Sequence, residues 1–285
     1  MKIPLCLPAL LFLAVPLSFC FAESSANTNA VSAPIPPDQA SLKAEANRVM
    51  NEKYEAWKAT LSPSQRQWEE VLDANLGSFY LPGRIGDVLK KHPDAWDYVE
   101  DDPKLPRVLL IGDSVSRGYT MAVRAALAGK ANVHRAPENC GPSSNGVKKL
   151  QVYLGDGRWD VIHFNFGIHD RNTAPALYTS NLEQIVAGLQ KTGAKLIWAR
   201  TTPAASPTNN EHYTAEQCAK VNQIADDVMK RHGIPEDDLY GAVEPRLAEL
   251  QLPNNVHFND AGYKVLGDKV ASEILAAIGT NSIQK

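Results

Sequence analysis

Ser114 closes the run Arg107-Val-Leu-Leu-Ile-Gly-Asp-Ser114, where an apolar stretch of strand length stops and a helical pattern begins at once. The β-branched and leucine run Val108 to Ile111 suits a central parallel strand covered on both faces, with Ser114 at its carboxyl end. Ligands of open α/β sheets gather at that edge. The first turn of the following helix also offers unpaired N–H groups and the positive end of a dipole. A serine so placed could attack an acyl carbon while its surroundings hold the oxyanion that forms. Taken alone, Gly-Asp-Ser fits a plain N-cap as well, so other stretches have to decide.

Three of them bear on it. Glu138-Asn-Cys-Gly-Pro-Ser-Ser-Asn-Gly146 follows the second expected strand, and its glycines would let backbone come close to a ligand. Phe166-Gly-Ile-His-Asp170 ends the third strand. Asn254-Asn-Val-His-Phe-Asn-Asp-Ala-Gly262 places His257, a side chain suited to general-base work, just before the last helix.

Together the four stretches resemble the SGNH (GDSL-type) hydrolase superfamily, whose blocks supply serine, glycine, asparagine and histidine in that chain order, over residues 107 to about 278. The resemblance implies a three-layer α/β/α fold and metal-free, cofactor-free hydrolysis of ester or, less often, amide bonds. It gives Ser114 the nucleophile's role and His257 that of the base, with oxyanion donors from Ser114, Gly141 and His169. Two departures stand out. His169 occupies the place of the usual asparagine donor, and an imidazole N–H can still donate. The usual acid, three residues before the histidine, is Asn254 here, and Asn255 supplies no carboxylate either. Asn254 can orient His257 through its carbonyl but cannot offset an imidazolium charge. The family glycine could instead correspond to Gly146, and Asn139 could donate from its side chain.

Plainer roles stand beside these. His169 could hydrogen-bond a turn, and His163, inside a strand, reads as a core histidine. A metal site of His163, His169 and Asp170 has no recognised ligand spacing. Asp113 and Asp170 read as loop braces. Arg117 and Arg200 could meet an anionic substrate, although solvated or carboxylate-paired arginines are commoner.

The elements that would position these residues alternate after Pro106. Strands are expected at 107–112, 131–135, 160–166, 194–200 and about 238–243, and helices at 115–128, 145–154, 178–191, 214–232 and 259–278. Alternation predicts a parallel sheet of about five strands between two helical layers, a flavodoxin-like domain over 106–285. Gly193 fits a helix C-cap and Asn259 an N-cap. Before it, residues 41–105 read as a helical extension packed on the main domain, with Ser62-Pro63 opening a second helix. Its aromatics, among them Phe79-Tyr80 and Trp96-Asp-Tyr98, could be a sugar platform or could pack inward.

Lys2 and the apolar Ile3 to Ala22 read as a signal peptide cleaved after Ala22, and residues 23–40, rich in Ser, Asn and Pro, as a disordered linker. Pro8 and Pro16 weaken a membrane anchor, and Phe19 argues against lipidation at Cys20. Export to a periplasmic or extracellular space follows, with no stable membrane insertion after cleavage. Cys140 and Cys218 would remain there, as one disulfide or two buried thiols. With 44% hydrophobic and 21% charged residues, a net charge of −3 and no Lys/Arg cluster, the chain has the composition of a soluble enzyme and lacks a nucleic-acid footprint. The expectation is a secreted serine esterase taking short acyl groups, acetyl foremost, from an acylated small molecule or polysaccharide. A catalytically weak carbohydrate-binding or envelope protein and a sugar O-acyltransferase are the alternatives.

Overall fold

The apolar run that ends at Ser114 forms the second strand in a row of five, and the rest of the domain is layered on it. The computed structural model describes residues 37–155, 157–204 and 213–279. The signal segment and most of the expected linker lie outside them. The chain from Ala46 onward is one compact unit, and Met1–Glu45 is another, of which only the start of the first helix is described.

The extension holds α1 (Pro37–Lys58), α2 (Pro63–Asn75) and α3 (Gly77–Lys90). The first of these begins at Pro37, so the end of the expected linker is helical. Ser62 and Gln65 form a reciprocal capping box with Pro63 in the first turn of α2. Then come β1 (Arg107–Ile111), α4 (Ser114–Ala126), β2 (Asn132–Arg135), α5 (Ser143–Leu154), β3 (Val161–Phe164) and a 3₁₀ turn at Ile168–Asp170. They are followed by α6 (Pro175–Gln190), β4 (Lys195–Ala199), α7 (Ala215–His232) and β5 (Glu236–Asp237). The last are α8 (Leu239–Val243), a second 3₁₀ turn (Glu244–Arg246), α9 (Leu247–Leu250) and α10 (Asp260–Gly279).

The strands pair in the order β2-β1-β3-β4-β5, all parallel. The order reverses direction at β1, so the crevice between the carboxyl ends of β1 and β3 is a topological switch point. Strand alternation supplies two cores. Leu109, Ile111, Ile162, Phe164 and Trp198 face α5, α6 and α7, whereas Val108, Leu110, Val133 and Ile197 face α4 and α8 to α10.

One expected strand is wrong. Residues 238–243 are mostly α8, and β5 is confined to two residues before it. Asp238 caps the turn by accepting from the Gly241 N–H at 3.0 Å, and Leu239 and Val243 bury as an i, i+4 pair, which a helix satisfies and a strand does not.

On the second face α4 and α10 run against each other, with a glycine at two points of closest contact. A Cβ on Gly267 would lie 2.4 Å from the Ala122 Cβ, and one on Gly118 would lie 2.1 Å from Tyr263 ring atoms. Alanine exceeds glycine in helix propensity by about 0.8–1.0 kcal/mol, but overpacking costs about 1–3 kcal/mol, so the clash decides the sign at Gly267. Gly86, in α3, has open space around its missing Cβ. Urea denaturation should show Gly267→Ala destabilised and Gly86→Ala unchanged or stabilised by about 0.5–1 kcal/mol. Equal signs for the two would refute the close helix contact.

Candidate active site

Gly112 has no room for a side chain, since a Cβ there would lie 2.8 Å from Ser116 Oγ. The chain turns at that point, Asp113 caps α4 by accepting from the Val115 N–H at 2.9 Å, and Ser114 becomes the first helical residue. Its own N–H is therefore among those with no acceptor inside the helix. Beneath the turn lies Arg135, 2% exposed, which donates to Gly112 O at 3.1 Å, to Asp113 O at 2.9 Å and to Ser116 Oγ. Burial pulls this guanidinium below its ordinary pKa. The cation is held by carbonyl oxygens of the serine turn, so it ties β2 to the backbone on which Ser114 rides.

His257 reaches Ser114 from the loop before α10. Its Nε2 is 2.7 Å from Ser114 Oγ, and its Nδ1 is 2.7 Å from Asn255 Oδ1. The same oxygen accepts from the His257 backbone N–H at 3.1 Å, which fixes the orientation of the amide. An amide oxygen can only accept, so Nδ1 carries the proton and Nε2 is free to take one from the serine. The loop is closed by an isolated antiparallel bridge between Gln251 and Phe258, and Asn259 caps α10 by accepting from the Gly262 N–H at 3.0 Å.

The sequence expectation that Asn254 orients the imidazole is thus corrected: Asn255 does. Asn254 is exposed, with φ +52°, at the turn that reverses the chain. A compact Asx turn brings the side chain two residues before the histidine onto its ring, and the third points to solvent.

Burial lowers the His257 pKa from its ordinary value; the Asp113 carboxylate opposes that shift, and the fields of His169 and Arg117 add to it. His169, half-buried, lies within electrostatic reach of His257 in the 3₁₀ turn after β3. That turn is locked to the start of α5 because Asp170 accepts from the Ser143 N–H at 2.7 Å and from Ser143 Oγ at 2.6 Å. Asp170 is a brace, as its sequence context suggests.

Gly141, with φ +62°, sits in the loop that the Cys140 N–H pins to Gly112 O at 3.1 Å, beside the serine turn. Gly146 is a packing glycine, because a Cβ there would meet Ile185 and Phe166. Asn139 is half-buried, and its Oδ1 has no hydrogen-bond partner among the described residues. Arg117 pairs with Asp94 at 3.4 Å and lies over the rings of Trp96 and Tyr80. Arg200, expected as a substrate contact, is held instead by Asp226 at 3.1 Å and Asp238 at 2.8 Å, and does not line the Ser114 cleft. His163 pairs with Asp237 at 3.0 Å, both fully buried, and so does not join His169 and Asp170. Cys140 and Cys218 are buried free thiols, pushed up to about 12 and about 11 by burial, which decides against the disulfide.

Ser114 and His257 open into a cleft of about 390 Å³, lined by Arg117, Met121 and Tyr263 and by Phe79 to Tyr80 and Pro93 to Ala95 of the extension. Three contributors escape sequence reasoning: Asn255, Arg135 and Asp94. Arg135 leaves a trace, a charge at the buried end of an apolar strand, and Asn255 leaves the Asn-x-His spacing.

The model of the GDSL-like lipase/acylhydrolase family matches residues 110–265, which leaves α1 to α3 outside. Among solved structures, the lipase/acylhydrolase from Enterococcus faecalis is 23% identical with a TM-score of 0.54, covering 60% of this chain and 96% of its own. The acetyl xylan esterase AlAXEase is 15% identical with a TM-score of 0.52, covering 59% and 99%. The acetylxylan esterase Axe2 from Geobacillus stearothermophilus is 14% identical with a TM-score of 0.50, covering 61% and 94%. At these identities the likeness is one of fold. No curated protein matches the chain.

The Asn255 contact sets an NMR titration of the His257 ring. In the wild type its midpoint should fall below about 6.5, the ordinary imidazole value. Asn255→Asp places a carboxylate on Nδ1–H, favours the imidazolium and should raise the midpoint by about one unit or more. Asn254→Asp should shift it far less. A larger shift from residue 254 would return the orienting role to that position.

Proposed function

The chain belongs to the GDSL-like lipase/acylhydrolase family and is a carboxylic ester hydrolase, and on that premise we propose that it removes short acyl groups, acetyl foremost, from carbohydrate. The observation that carries the proposal is the continuous line of hydrogen bonds from Ser114 Oγ through His257 to Asn255. Each partner on that line has the donor or acceptor that the next one needs.

In this reading His257 Nε2 takes the hydroxyl proton as Ser114 Oγ bonds to the acyl carbon. The N–H groups of Ser114 and the Gly141 loop, with the His169 ring, receive the oxyanion. The carbonyl re-forms, the ester C–O bond breaks, and the imidazolium returns its proton to the departing sugar oxygen. Water, deprotonated by His257, then attacks the acyl-enzyme, releasing the carboxylic acid and restoring the serine. Asn255 orients the ring without offsetting the imidazolium charge. Asp113, whose charge favours the charged ring, supplies part of that compensation at longer range.

Support for a short acyl group and a sugar comes from the acetyl xylan esterases among the structural neighbours and from a cleft open at its mouth. The leader-like residues 1–22 support export to a periplasmic or extracellular space.

A fluorophosphonate probe should label the wild type stoichiometrically, and Ser114→Ala should abolish both labelling and acetate release from p-nitrophenyl acetate and acetylated xylan. Turnover that survives in Ser114→Ala would remove the serine from the reaction. His169→Ala should lower kcat by about 10²-fold to 10³-fold with little change in KM, the loss expected for one oxyanion donor. Full turnover in that variant would make the histidine structural.

A further inference from the structure

We infer that the α3 segment of the extension is the sugar-binding wall of the cleft, with Phe79 as the stacking platform for a neutral glycan that carries the ester. This rests on the ester-hydrolase reading of Ser114 and adds what holds the leaving group. Phe79 is 82% exposed, although burying such a ring is worth about 1.5–3 kcal/mol, and it stands on the wall of the same cleft as Ser114 and His257. The ring is held in place from behind. It meets Tyr80 in a T-shaped contact at 4.8 Å between centroids, Tyr80 meets Trp96 at 5.4 Å, and the Trp96 Nε1–H donates to Ala136 O at 3.2 Å. Arg124 donates to Asp94 O at 3.1 Å and to Asp97 O at 3.3 Å, so the segment behind the wall is fastened to α4 and β2 by backbone as well as by rings. An exposed aromatic face on so fixed a support is pre-organised for a flat apolar partner.

Charge narrows the partner to a neutral one. The carboxylate and the guanidinium in the cleft, Asp94 and Arg117, pair with each other, and Asp94 also faces Arg84 at 3.6 Å. Among the described residues that line the cleft, an acidic glycan would find no lysine or arginine without a carboxylate partner. The C–H face of a neutral pyranose matches the aromatic face, while Phe79 and the 37% exposed Met121 form a rim and not a closed tube for a long acyl chain. The extension lies outside the family match, so this wall is a feature of the present chain and not of the shared hydrolase core.

Binding separates this proposal from the catalytic one. In a Ser114→Ala background, calorimetric titration with acetylated xylo-oligosaccharide should give a Kd about 5-fold to 20-fold weaker when Phe79→Ala is added, and Phe79→Trp should restore it. With the serine present, Phe79→Ala should lower the ratio of kcat/KM on the oligosaccharide to that on p-nitrophenyl acetate by a similar factor. An unchanged Kd, or no binding of the oligosaccharide by the Ser114→Ala protein, overturns the platform. Selective loss of p-nitrophenyl octanoate turnover in Phe79→Ala also overturns it, by assigning the wall to acyl chains. A wild type that binds the oligosaccharide through Phe79 and hydrolyses neither ester would leave the wall standing and sink the hydrolase reading instead.

Discussion

The contact between α4 and α10 is the constraint on which the site depends. Ser114 begins one helix and His257 stands three residues before the other, so the distance between them is set by how closely those helices lie. A glycine on each helix makes room for the other, Gly118 for the Tyr263 ring and Gly267 for Ala122. A larger residue at either place would push apart two groups that now meet at 2.7 Å. The sheet contributes by sending β1 into α4 at its switch point, and the bridge between Gln251 and Phe258 fixes how the chain enters α10. Catalytic geometry here is a result of helix packing, and only secondarily of the loop that carries the histidine.

Buried and half-buried arginines do a second kind of positioning. Arg135 gathers carbonyls of the serine turn, Arg124 gathers carbonyls of the extension and of β2, and Arg84 is buried against Glu69, Asp94 and Asp97. Burial brings Arg124 down to about 10. Removing a cation from such a place would leave several carbonyl oxygens without donors, and each unsatisfied group costs about 1–3 kcal/mol. Extension and hydrolase core are joined through these few residues as much as through apolar surface.

Much of this was readable in the sequence, for identifiable reasons. The alternation of apolar runs with helical patterns gave the layers and the strand ends, because a parallel sheet buried on both faces needs continuous Val, Ile and Leu. The resemblance of four blocks, in chain order, to the SGNH hydrolases is what gives Ser114 and His257 their expected roles. The segment at about 238–243 reads as a strand because Leu-Tyr-Gly-Ala-Val has the composition of one, and only Asp238 as a cap shows that it turns. Spacing along the chain favours Asn254 over Asn255, whereas the choice is made by a left-handed backbone at residue 254 that composition does not reveal. The carboxylate partners of Arg200, Asp226 and Asp238, come from α7 and the residue before α8 and are brought to it by folding, so its sequence context does not show them.

The two thiols have a consequence of another sort. Cys140 lies in the loop beside the serine turn and Cys218 in the first turn of α7, both sealed from solvent and both protonated across the neutral range. Neither reacts while its surroundings stay closed, since the thiolate is the reactive form and neither thiolate nor reagent is present at the sulfur. Alkylation therefore waits on a local opening, and its rate measures how often that part of the chain comes undone. The molecule carries two clocks, one set in the loop beside the serine turn and one set where the chain enters α7 after β4. The difference between their rates tells whether the serine loop opens by itself or together with the neighbouring start of α7.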